Sequence, residues 1–179
     1  GAGSRGASGG AAGDGRGGGG CRIQLGGANP HSGSMALRVE GGSGGQFDGI
    51  YAELHAPSSS EPRRISFWMR AESLANVGYL ALGGLSLRES VLFFHVRPSG
   101  EAGLLSRHGY FSAGNFSRGE WVHVELELDW SAHAVSLLLG DQPIAQGVPF
   151  FTHTPSAMRI HLFNSDAGIV WWDDFVVSY

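Results

Sequence analysis

The stretch WVHVELELDW, residues 121–130, alternates without a break. Val122, Val124, Leu126 and Leu128 share one parity, and Trp121, His123, Glu125, Glu127 and Asp129 share the other. A period of two marks a β-strand with one buried face, because successive side chains point to opposite sides of the pleat. Such a strand cannot bury its apolar side alone, so a second sheet must face it. The pattern recurs. SMALRVE (34–40) sets Met35, Leu37 and Val39 on one face, and RRISFWMR (63–70) sets Ile65, Phe67 and Met69 opposite Ser66, Trp68 and Arg70. GIYAEL, GYLALGG, SVLFFHV, AGLLSR, AVSLLLG, AMRIHLF and IVWWDDFVVSY continue it, with the turn-forming EGGSGG, APSSSEP, RPSGE, GDQPI and NSDAG between them. The best helix candidate is AESLANV, one or two turns at most. These short strands, roughly ten in number, predict an all-β fold of two facing antiparallel sheets, a β-sandwich.

With 179 residues, 42% of them hydrophobic, the chain can bury one core. Residues 1–20, GAGSRGASGGAAGDGRGGGG, hold no apolar side chain larger than Ala and read as a Gly-rich flexible linker before a domain spanning 21–179. A tether of this kind is expected to follow a further segment or a removed signal peptide. The single Cys21 allows no internal disulfide. A formal net charge of −4, without basic runs, gives nucleic acid or an anionic membrane nothing to hold. No apolar run approaches the ~20 residues that a spanning helix needs, so no membrane insertion is expected.

The outward parity carries the chemistry. Sugar rings pack their C–H faces on aromatic planes, and their hydroxyls want planar polar partners. Outward positions supply that mixture on four strands: Trp68 with Arg70, His95 with Arg97, His123 with Glu125, and Arg159 with His161. If these converge in one hollow, the expected function is polysaccharide binding. The same aromatics and arginines also suit a protein-binding adhesive surface. The E-x-E-x-D row of Glu125, Glu127 and Asp129 raises glycoside hydrolysis, since residues two apart on a strand lie about 6.7 Å apart and retaining glycosidases hold their carboxyls about 5–5.5 Å apart. Carboxylates on the wet face of a strand are nevertheless the ordinary state of a half-buried sheet, and the row is read as groove wall.

NPHSGSMALRVEGG, then RRISFWMR, RGEWVHVELELDWSAHAVSLLLGDQPI and the closing VWWDDFVVS, taken in that order, resemble the concanavalin-A-like jelly roll in its laminin-G-like and polysaccharide-lyase-like branches. The HSGS opening and the final WWDD strand are also similar to secreted glucuronan-lyase-like proteins. The resemblance covers residues 29–179 and implies a jelly roll whose concave face binds glycans, in a secreted, periplasmic or cell-surface protein.

Two further expectations follow from it. The first is β-elimination of a uronate polymer, which needs a base, an acid and a group that neutralises the carboxylate; His123, Tyr110 and Arg70 (or Arg97) are the candidates. YFSAGNFS (110–117) is similar to an alginate-lyase signature but carries Ser112 where that family has Lys, and Phe116 where it has Tyr. The second is a structural Ca2+ where the first and last strands meet, with Ser32 and Asp173 as ligands by matching position. No histidine spacing supports zinc. The principal expectation is a polysaccharide-binding domain, with the lyase as its rival.

Overall fold

The computed structural model describes residues 22–28, 30–41, 49–53, 61–72, 79–84, 89–153, 158–164 and 168–179. The segment 1–20, Cys21 and most of AESLANV lie outside these residues. Thirteen strands run along the described chain: β1 (Arg22–Gly26), β2 (Ala36–Glu40), β3 (Gly49–Glu53), β4 (Arg64–Ala71), β5 (Tyr79–Gly83), β6 (Ser90–Val96), β7 (Glu101–Ser106), β8 (Gly109–Asn115), β9 (Val122–Asp129), β10 (Ala134–Leu139), β11 (Gln142–Pro149), β12 (Arg159–Phe163) and β13 (Ile169–Ser178). Among the described residues there is no helix.

The alternating stretch forms β9, antiparallel to β4 on one side and β10 on the other. Seven strands make one sheet, in the order β1-β2-β13-β4-β9-β10-β11, and six make the other, β3-β12-β5-β6-β7-β8. Parity decides what lies between them. Ile65, Phe67, Met69, Val124 and Leu126 from the first sheet join Leu80, Leu82, Leu92, Phe94 and Leu104 from the second in one core cluster. All but Leu92, at 2%, are 0% exposed. Phe67 and Phe94 meet edge to face across the gap, with centroids 5.9 Å apart. Burying such side chains contributes about 1.5–3 kcal/mol each.

Three strands lack the alternating signal. β1 is a short edge strand paired only with β2. β8 coincides with the YFSAGN stretch. β11 contains Pro143 and Pro149 and overlaps GDQPI, which the turn reading had placed outside the sheet. Proline removes a ladder donor and is confined to edges, and β11 is the outer edge of its sheet. The last strand in sequence, β13, sits inside the seven-stranded sheet between β2 and β4. Its register shifts between Asp173 and Val176, where Asp174 takes a left-handed conformation with φ of 47°. Such a bulge re-aims side chains locally.

Candidate functional site

Outward side chains of the two sheets face opposite sides of the sandwich, and this corrects the expectation of one shared hollow. Trp68, Arg70, His123 and Glu125 stand on the outside of the seven-stranded sheet, where Trp68 pairs with His123 and Ser66 with Glu125. His95, Arg97, Arg159 and His161 belong to the other sheet, on β6, the residue after β6, and β12. The physical reason is strand order. Period two fixes which way a side chain points but not which sheet its strand joins.

On the seven-stranded sheet the aromatic groups are largely engaged with one another. The His31 ring stacks on Trp68, with centroids 3.6 Å apart and planes at 13°. His123 lies 5.1 Å from Trp68, and Trp121 meets His31 edge on at 6.0 Å. Arg70 is 8% exposed and lies over both Trp121 and Trp171, at 5.3 and 5.4 Å. It also pairs with Glu72, which accepts from the Trp171 indole. Arg38 covers Trp171 further out, at 5.9 Å. The guanidinium expected to meet a ligand is thus held as part of a cation–π row.

The acid row resolves into structural roles. Glu125 is 9% exposed and paired with Arg64. Asp129 Oδ1 accepts from the Ser131 hydroxyl and the Ala132 N–H, capping the turn after β9. The Ser131 hydrogen bond first, then the Ala132 N–H, hold its pKa below the usual carboxylate value. Two of the three acids therefore stabilise local structure.

The outside of the six-stranded sheet differs. Ala81, Phe93 and His161 point outward yet are 0, 6 and 2% exposed, and Phe151 packs over the small cluster that Ala81 and Phe93 form. Next to this covered apolar cluster the polar groups gather. Arg97 Cζ lies 3.6 Å from the Tyr110 ring centroid, and Glu101 holds the guanidinium at 3.2 Å. The Tyr110 hydroxyl donates to the backbone carbonyls of His95 and Glu101, at 3.1 and 3.0 Å. The ring crosses Gly103, where a Cβ would come within 2.8 Å of Tyr110 Cζ, so glycine is required there.

Burial, followed by the charge of Arg97, pulls the pKa of His95 down to about 4, so its imidazole is neutral across the physiological range. His161 is likewise lowered by burial and, to a lesser degree, by Arg159, against the opposing effect of the Gly83 carbonyl. Its Nε2 is 3.0 Å from Gly83 O and carries the proton, since a carbonyl can only accept. Glu101 is lowered first by the Ser112 hydroxyl and then by Arg97. Glu101 and His31 carry no sequence signal beyond proximity to Arg97 and Ser32, and Ser112 enters the sequence only as a departure from the alginate-lyase signature.

The lyase candidates do not all meet: Tyr110 joins Arg97, but not His123 or Arg70. His123 and Arg70 lie outside one sheet and Tyr110 outside the other. The Tyr110 proton is already committed to main-chain carbonyls.

The opening and closing motifs do meet. The N–H groups of His31 and Ser32 donate to Asp173 Oδ2 at 2.9 and 3.2 Å, and the Asp174 N–H donates to Asp173 Oδ1 at 2.8 Å. The Ser32 hydroxyl donates to Asp174 Oδ1 at 2.5 Å, and His31 Nδ1 lies 2.8 Å from Asp174 Oδ2. These bonds, Ser32 before His31, keep the Asp174 pKa low. The arrangement does not fit the calcium expectation. Ser32 approaches Asp173 with an N–H donor, and calcium requires six to eight oxygen ligands. Among the described residues no group of three or more His, Cys, Asp or Glu side chains is disposed to hold a metal ion.

The fold defines the class: a jelly-roll-type antiparallel β-sandwich. No family model matches the sequence, and no curated protein matches it. Among solved structures, a sialidase superposes with a TM-score of 0.68 at 10% identity, over 82% of this chain and 16% of that one. A cellulose-induced protein, Cip1, gives 0.63 at 14% identity, over 89 and 86% of the two chains. The carbohydrate-binding module CBM66 from Bacillus subtilis gives 0.52 at 11% identity, over 90 and 97%. This chain spans about a sixth of the sialidase and most of the other two. At these identities the likeness shows a shared fold.

Proposed function

We propose that this chain is a carbohydrate-binding domain that takes a polysaccharide segment on the outside of its six-stranded sheet. The observation that carries the reading is the Arg97–Tyr110 stack, fixed by Glu101 beside the neutral His95. A neutral imidazole offers one donor and one acceptor, and a guanidinium offers several donors in a plane. Those are the partners that vicinal hydroxyls demand. The fold shared with a carbohydrate-binding module and a cellulose-induced protein supports the same reading. With such a ligand the domain would work in a secreted, periplasmic or cell-surface protein.

Retention on insoluble polysaccharides and affinity electrophoresis in soluble ones test this. The parent is expected to be retained, and Arg97→Ala to lose about tenfold or more in affinity. Equal retention of both would sink the sheet-face assignment. Incubation with uronate polymers tests the lyase rival: growth of unsaturated product would make the domain an enzyme. No glycan bound, together with a stable protein complex, would make it an adhesive module instead.

A further inference from the structure

A cleft of about 700 Å³ opens at one end of the seven-stranded sheet. It lies where β4 begins, β9 ends and β13 ends, and is lined by Glu61, Arg63, Asp129, Trp130, Ser131 and Tyr179. Its volume falls within the roughly 300–1,000 Å³ of small-molecule sites.

The wall is held in place before any ligand arrives. Trp130 Nε1 donates to the Pro62 carbonyl at 2.8 Å, and its ring meets Phe150 edge to face at 5.1 Å. Phe150 is fully buried, so the indole is anchored to the core. Asp129 is fixed by hydrogen bonds from the Ser131 hydroxyl and the Ala132 N–H to its Oδ1. The Arg63 N–H donates to Ser178 O, and Arg63 O accepts from the Leu128 N–H, so three strands are stitched together under the guanidinium.

We infer that this cleft is a second saccharide site, separate from the six-stranded face and independent of it. Two carboxylates disfavour an anion, and the guanidinium beside them offsets part of their pull on a cation. A neutral polyhydroxyl ring satisfies all three, with hydroxyls donating to Glu61 and Asp129 and accepting from Arg63. The Trp130 and Tyr179 rings supply apolar planes for its C–H groups. One polysaccharide chain reaching both sites would bind with the gain that linked contacts give.

The test is heteronuclear NMR of the whole chain, titrated with a panel of neutral trisaccharides: xylotriose, cellotriose and arabinotriose. At least one probe is expected to move the Trp130 indole N–H resonance. In Arg63→Ala and Tyr179→Ala, both exposed positions whose substitution leaves the backbone bonds intact, the apparent Kd is expected to rise about tenfold. It is expected to be unchanged in Arg97→Ala. Silence at Trp130 with every probe, or the same Kd in Arg63→Ala as in the parent, overturns the inference. Movement at His95 and Arg97 without Trp130 overturns it while leaving the sheet-face reading intact; movement at Trp130 without those two does the reverse.

Discussion

Arg97 sits over the ring of Tyr110, its Cζ 3.6 Å from the centroid, while the hydroxyl of that tyrosine is tied to the main chain of β6 and β7. Stack and tether, together with the ion pair from Arg97 Nη1 to Glu101 Oε2 at 3.2 Å, fix the guanidinium. Tyr110→Phe keeps the ring and removes the tether. It is expected to lower stability by about 1 kcal/mol, measured by denaturant unfolding, because two carbonyls lose a donor. Tyr110→Ala also removes the platform and is expected to weaken polysaccharide binding about as much as Arg97→Ala.

Gly103 lies beneath that ring. Gly103→Ala is expected to displace Tyr110 and the neighbouring β8 backbone, so that glycan retention falls along with thermal stability. Unchanged retention would show that the ring position does not matter for binding.

Stability is expected to depend on pH through His95. Its folded pKa of about 4 lies below the ordinary value of 6.5, so between those limits the unfolded chain binds more protons. Stability from this group is therefore complete above pH 6.5, falls as pH drops toward 4, and levels off below it. His95→Asn is expected to flatten that part of the profile, as read by denaturant midpoints at a series of pH values.

The core sets the largest single cost. Phe67 is 0% exposed and meets Phe94 across the sheets. Phe67→Ala is expected to cost about 3–5 kcal/mol, measured by chemical denaturation. Trp68→Ala, one residue along and pointing outward, is expected to cost less and to leave polysaccharide retention intact, because it lies on the sheet opposite His95. A loss of retention there would move the binding site to the seven-stranded face.

Asp173 receives the N–H groups of His31 and Ser32. Asp173→Ala is expected to raise amide hydrogen exchange at both positions while leaving the core strands protected. Calcium is expected to change neither, since the carboxylate lone pairs already face donors.

The parity of the alternating strands was legible, and the partition between sheets was not. Ile65, Phe67 and Met69 pointed inward and Trp68 and Arg70 outward as the alternation required. Trp68 and His161 share that outward parity, yet they stand on opposite sides because pairing partners are set by packing of the whole chain. The HSGS and WWDD segments converge as their resemblance implied, but as hydrogen-bond donors and acceptors. β11 stayed hidden because its prolines break the alternation, which an edge position tolerates.

β13 fills the slot between β2 and β4, yet it is the last of the thirteen strands to leave a ribosome. Until it arrives, both neighbours carry unpaired ladder edges open to other nascent chains. Synthesis of this domain is thus exposed to aggregation for nearly its whole length, and a chaperone that shields those two edges would raise its yield more than one acting after release.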